Sequence, residues 1–435
     1  MRIGDNKSIS SYMSGFGNYF SSEAEKNTLP KDQNTPQKVS GGLFTEQLNG
    51  AAFTSPRVDN RHTWLYKIRP SAGNYSFKGV QHVGLKGRPF IVNASPNAFR
   101  WLPFDIPKAK TDFVDGLITV AGNGDLNSLR GSAVHIYRAN ASMENRVFCD
   151  NDAELLFVPE LGAFKIFTEL GEIELKPKEI CLIPAGIKFR IELIDTEIRG
   201  YLLENYGPYL RLPELGPIGA NGLAAIRHFL CPMAKYENKQ IETELVVKFQ
   251  DKLWHTVLPH SPLDVVSWHG NYVPYKYDLS LFQVVNSVSF DHQDPSIFTV
   301  LTSPSEFIGL PNVDFVIFPP RWSVAEKTFR PPYFHRNCMN EIMGLVYGQY
   351  ESRTEGFLPG GISLHNRFIA HGPDLETYEK AISQNLVPTK MDDTLAIMFE
   401  SSLVYQPTKE MLEVSNLDKT YLSIWQGFKA EFKDE

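Results

Sequence analysis

Apolar residues in this chain fall in short runs separated by turn formers. Between 153 and 205 six runs follow one another: Glu154–Pro159, Ala163–Thr168, Glu172–Lys176, Ile180–Ile183, Lys188–Leu193 and Ile198–Glu204. Each is rich in Ile, Leu, Val or Phe, and Gly162, Gly171, Pro177, Pro184, Gly186 and Asp195 punctuate them. Closely spaced short strands with Gly and Pro between them predict a β-sandwich or barrel. A second series is expected over Asp264–Trp268, Leu281–Ser289, Ile297–Leu301, Val313–Phe318, Ile342–Tyr350 and Ala396–Tyr405. Helical spacing appears only late. Pro373-Asp374 opens one segment with Leu375, Tyr378 and Ile382 on one face, and Tyr421, Ile424, Trp425, Phe428 and Phe432 share a face in the last. The first sixty residues are rich in Ser, Asn, Gln, Gly and Pro, and the stretch from Asn18 to Gly42 reads as an extended surface arm. The Gly-rich stretch 213–224 lacks the Lys-Ser/Thr of a phosphate loop and reads as a turn.

Composition sharpens this picture. With 435 residues the chain can bury a real core without disulfide staples. Aromatics make up 12%, which favours pleated β surfaces. The net charge of -7 argues against a nucleic-acid partner, and no apolar run is long enough for a membrane helix. Cys149, Cys181, Cys231 and Cys338 form no C-x-x-C pair, so free thiols in a reducing compartment are expected. The opening thirty residues contain no apolar signal core, and a cytoplasmic location is the expectation.

Candidate chemistry sits in the last third. Four of the 11 histidines, His292, His335, His365 and His371, fall between 292 and 371. The stretch Tyr333-Phe-His335-Arg-Asn337-Cys-Met-Asn-Glu341 runs on to Gly348 and resembles the first cupin motif, H-x-H-x(3)-E-x(6)-G, with Asn337 at the second His. Pro184-Ala-Gly186-Ile-Lys-Phe189 resembles the second motif, with an aromatic where a metal-binding His would stand. On one straight strand His335 and Glu341 would be about 20 Å apart, so sharing an ion requires a chain reversal between them. A hairpin at Asn337–Asn340 would put them on partner strands, and Gly360-Gly361 would turn the chain back toward His371. Two His and one carboxylate form the facial triad of non-haem Fe(II) oxygenases. The same residues could equally be satisfied polar groups along strand edges, with Glu341 a solvated charge; spacing alone leaves both open.

Longer blocks resemble the homogentisate 1,2-dioxygenase family: Ser14-Gly-Phe-Gly-Asn18, Glu46-Gln-Leu-Asn-Gly50-Ala-Ala-Phe53, Leu215–Leu223, Trp268-His-Gly-Asn-Tyr272, Phe290–Leu301, Phe315–Trp322 and Phe329–Tyr333. The resemblance covers most of the chain; the first fifteen residues and 71–98 match less well. It implies a ring-cleaving dioxygenase of tyrosine and phenylalanine breakdown, converting homogentisate and O2 to 4-maleylacetoacetate with a mononuclear Fe(2+) centre. By the same resemblance His335, Glu341 and His371 are the metal ligands, His292 is the residue that takes a proton from the substrate hydroxyl, Tyr350 binds substrate, and His365 and Tyr333 line the pocket. A homohexamer built as a dimer of trimers is also implied.

The expected architecture is mainly β, with double-stranded β-helix (cupin, jelly-roll) sandwiches and peripheral short helices. Residues 1–280 are expected to form an N-terminal β-rich domain containing a metal-free cupin-like barrel, and 281–435 a C-terminal cupin-like domain carrying the iron site. His62, His82, His135, His228, His255, His260 and His269 read as surface or satisfied core histidines. Arg330, Arg336, Arg353 and Arg367 flank the site and are candidates for a substrate carboxylate. Two other readings compete: a cupin dioxygenase acting on gentisate, and a two-barrel binding or storage protein without catalysis.

Overall fold

A computed structural model describes residues 11–87, 94–214, 223–289, 298–350 and 356–433. The chain is mainly β, with few and short helices. Its described strands form sheets of nine, seven, six, four and two strands. Pairing is antiparallel with one exception among the described strands, Thr243–Phe249 beside Arg146–Asp150.

The nine-stranded and seven-stranded sheets face one another across an aromatic core. Strands of the seven-stranded sheet alternate, as in Phe164–Thr168 and Gly171–Leu175, burying every second residue. Central strands of the nine-stranded sheet, such as Glu154–Leu161, are buried almost throughout. Between the sheets the rings of Phe113, Tyr137, Phe148, Phe157, Phe164 and Phe189 meet with centroids 5.4–6.5 Å apart. Phe189 is wholly buried in this cluster, so the position a cupin would give to a His here belongs to the packed core.

All six strands expected between 153 and 205 are present, within two residues at each end. The second series is less regular. Val265–Gly270, Thr299–Ser303, Val313–Phe318, Asn340–Gly348 and Thr394–Ser401 are strands. The expected strand at Leu281–Ser289 is absent over those residues: a 3-10 turn spans Leu279–Leu281, and Asp278 accepts a hydrogen bond from the Ser280 amide at its start. The helix after Pro373 is Leu375–Ser383, capped by the Asp374 carboxylate accepting from Thr377 N at 2.8 Å. The last helix shrinks to a 3-10 turn, Tyr421–Trp425. Gln426 is already extended, Gly427 then adopts φ +94°, and Phe432 is left exposed.

The two halves exchange strands. Phe99–Trp101 completes the six-stranded sheet beside Ile362–His365, and Gln406–Pro407 pairs with Ile118–Gly122 in the nine-stranded sheet. Tyr201 joins the layers: its hydroxyl lies 3.0 Å from Leu345 O and 2.9 Å from Gly361 O. Gly344 is required there, because a Cβ would stand 2.6 Å from the Tyr201 ring.

Candidate metal centre

Strand Asn340–Gly348 lies between Thr394–Ser401 and Ile362–His365, so Glu341 has Glu400 on one side and His365 on the other. After His365 the chain loops through Phe368, at φ +60°, whose amide donates to Asn337 O at 2.6 Å. It returns to place His371 opposite His335 in an isolated bridge with two backbone hydrogen bonds, of 2.9 and 3.2 Å. The hairpin expected at 337–340 is therefore replaced by a bend. His335 pairs with His371 and not with the Glu341 strand, because that strand already has partners on both edges. One donor atom from each of His335, Glu341 and His371 lies within 4.8 Å of the others.

Side-chain partners orient these donors. His335 Nδ1 is 2.8 Å from Tyr333 O, and His371 Nδ1 is 2.9 Å from Ile369 O. A carbonyl only accepts, so each Nδ1 carries the hydrogen and each Nε2 keeps its lone pair. Glu341 Oε1 accepts from Asn337 Nδ2 at 3.0 Å, and Glu341 Oε2 is 3.0 Å from His371 Nε2. Two lone pairs so close repel unless a proton or a cation stands between them. Two neutral imidazoles and a carboxylate converging in this way fit a divalent transition metal. Asn337 thus takes over from the second motif His and holds the carboxylate.

Burial alone would raise the Glu341 carboxyl, but the neighbouring His371 and the Asn337 amide hold it below its ordinary value. Burial, with His371 beside it, pushes His335 down. Both shifts favour the ligand forms, an ionised carboxylate and a neutral imidazole. In front of the donors opens a cavity of about 590 Å³, lined by Phe334, His335, Arg336, Ala370, His371, Trp425 and Phe428. Phe334 and Phe428 meet edge to face at 5.4 Å, giving the mouth an aromatic wall.

The remaining expected site residues are distributed unevenly. His365 is buried behind the donors, its ring stacked on His371 at 4.2 Å. Tyr333 is partly exposed, with its ring edge-on to His335. Tyr350 packs on Phe318 and Phe357. Phe318 stands level with Leu345 across Ala396, four strand positions from Glu341 or roughly 13 Å. His292 and Arg353 lie outside the described residues. Of the candidate arginines Arg336 lines the cavity, Arg330 donates to the carbonyls of Ala325 and Val387, and Arg367 lies over the Phe368 ring. Phe334, Trp425 and Phe428 were missed as cavity residues, because an aromatic on a pocket wall carries the same local signal as one in a core.

Two family models match end to end: homogentisate 1,2-dioxygenase N-terminal over residues 11–279 and homogentisate 1,2-dioxygenase C-terminal over 280–432. The homogentisate 1,2-dioxygenase of Pseudomonas fluorescens strain Pf0-1 is 54% identical over 421 residues, 97% of each chain. That of strain Pf-5 is 53% identical over 432 residues, 99% of each chain. Among solved structures, protein Ylba from E. coli aligns with 73% of this chain and 92% of its own, at 8% identity and a TM-score of 0.29, too slight a likeness to argue from. Matches that run the length of both halves and relatives more than half identical agree: this chain belongs to the homogentisate 1,2-dioxygenase family.

Proposed function

We propose that the protein cleaves the ring of homogentisate with O2 to give 4-maleylacetoacetate, in tyrosine and phenylalanine catabolism, using Fe(2+) held by His335, Glu341 and His371. The observation that carries this is the intact two-His, one-carboxylate donor set in a chain whose full length matches dioxygenases of this name. When bound there, Fe(2+) would supply a centre that takes up O2 and the phenol together and lets electrons pass between them. The chain's own residues do the rest. Asn337 holds Glu341 Oε1, leaving Oε2 toward the metal, while the Tyr333 and Ile369 carbonyls keep both Nε2 atoms available. The aromatic wall takes the substrate ring, and Arg336 supplies the positive charge for its carboxylate. In this reading His292 takes the hydroxyl proton, an imidazole being suited to do so near neutral pH.

The test is oxygen uptake after anaerobic Fe(2+) loading, with homogentisate against gentisate. Uptake with homogentisate and ring-opened product is expected; faster turnover of gentisate would overturn the substrate assignment. His335→Ala, Glu341→Ala and His371→Ala should each lose the metal, whereas His292→Ala should keep it and lose most turnover. Full iron occupancy in the first three would refute the ligand set. Arg336→Met should raise KM for homogentisate about tenfold or more, the worth of one hydrogen bond to a charged group. An unchanged KM would remove Arg336 from the binding site. We further propose a cytoplasmic homohexamer, a dimer of trimers, which sedimentation of the full chain distinguishes from a monomer.

A further inference from the structure

His371 sits where the fold provides little to hold a ligand. It lies in no strand, and its backbone is tied by a single bridge to His335, itself outside any strand. A ligand in such a segment would sway unless its ring and backbone were fixed by something else.

The C-terminal turn provides that fixing. Tyr421 is buried, and its hydroxyl is 2.9 Å from His365 Nε2. His365 lies on the strand beside Glu341 and stacks on His371 at 4.2 Å with only 12° between the planes. Four residues after Tyr421, Trp425 donates from its indole Nε1 to Gly372 O, at 3.2 Å, one peptide beyond His371. The turn is itself anchored. Arg100 from the N-terminal half donates to Asp418 Oδ2 through Nε at 2.8 Å and through Nη2 at 2.5 Å. Its guanidinium also lies 4.5 Å above the Tyr421 ring, and the Asp418 amide donates back to Arg100 O at 2.8 Å.

We propose that residues 418–425 form a clamp in which Tyr421 and Trp425 are positioning residues for the metal ligand His371. Tyr421 sets the ring plane by holding His365, and Trp425 sets the backbone by holding the Gly372 carbonyl. Neither atom belongs to the donor set, and their loss should loosen the metal by freeing His371 without unfolding the chain. This rests on the metal-centre reading given above.

Tyr421→Phe deletes only the hydroxyl, and Trp425→Phe keeps an aromatic ring while deleting the indole N–H. Each is compared with the parent protein and with Leu422→Ala, an exposed position on the same turn. The measurements are the rate of Fe(2+) loss to a chelator, the visible absorption of the Co(2+)-substituted protein, and the thermal unfolding midpoint of the metal-free protein. Fe(2+) loss at least about tenfold faster in both variants is expected, within the range typical for outer-shell partners of a ligand. Altered Co(2+) bands, an unchanged metal-free midpoint and parental behaviour of Leu422→Ala are expected alongside. Parental rates and spectra in both variants would overturn the clamp, as would equal acceleration in Leu422→Ala. If the parent protein bound no metal in a His371-dependent way, the metal-centre reading itself would fall, a separate outcome.

Discussion

At the scale of single residues, titrating groups in this protein divide by what surrounds them. Glu341 is buried, but with His371 beside it and the Asn337 amide donating to it, its carboxyl stays below the ordinary value. Glu154 is buried with the amide of Leu210 and the side chain of Asn205 as donors, each at 2.6 Å, and burial still wins, pushing it up to about 7. The consequence for stability follows from which state holds the proton. In the unfolded chain Glu154 releases its proton near 4.5, and in the fold only near 7. Between these values the folded state binds more protons, so this group makes stability fall as pH rises through that window and adds no further change above it. Glu154→Gln keeps a neutral acceptor in place, and its urea midpoint should gain on the parent's from about pH 4.5 to 7 and then level off. Parallel pH profiles for the two proteins would show that Glu154 titrates normally.

At the scale of elements, one strand both carries a ligand and docks onto the other half. Asn340–Gly348 presents Glu341 near one end, and three positions on, with its direction reversed by the pleat, Gly344 meets the Tyr201 ring. Tyr201 cannot step aside, since its hydroxyl is tied to the carbonyls of Leu345 and Gly361. Gly344→Ala should therefore cost about 1–3 kcal/mol, the usual penalty for overpacking. Chemical denaturation checks this, and metal content should be unchanged because Glu341 faces away from the new methyl. A stability equal to the parent's would mean that the ring has room to move. The C-terminal segment shows the opposite relation between pattern and element. Tyr421 and Trp425 have helical spacing, yet their side chains are committed to His365 and Gly372, and Gly427 turns the chain away.

At the scale of the whole molecule, the two halves share sheets as well as a surface. Strand Phe99–Trp101 is an edge of the ligand-bearing sheet, and Arg100 on it anchors Asp418. In the other direction Gln406–Pro407 closes the nine-stranded sheet. Separating the halves would expose strand edges and remove the anchor of the C-terminal turn. Full-length protein should unfold in one transition, with circular dichroism and tryptophan fluorescence giving the same midpoint. A fragment of residues 281–435 should bind no metal and show no cooperative unfolding. Two separated transitions, or a folded metal-binding fragment, would show the halves to be independent.

The sequence by itself determined the β class, most strand positions, the helix start at Asp374 and the residue types of the donor set. These are local properties: a period of two, turn residues, a capping carboxylate, and side chains chemically able to bind a metal. The family resemblance picked out His335, Glu341 and His371, which the fold then brings together. Only the tertiary structure decided how they meet, through a bridge between His335 and His371 in place of a hairpin at 337–340. It also decided that His365 lies behind the donors and that Arg336, Phe334 and Phe428 border the cavity. The clamp at Tyr421 and Trp425 is of the same kind. The clamp contacts join residues 53 and 56 positions apart and its anchor residues 318 apart, and no local periodicity records a contact whose energy depends on where a distant strand ends.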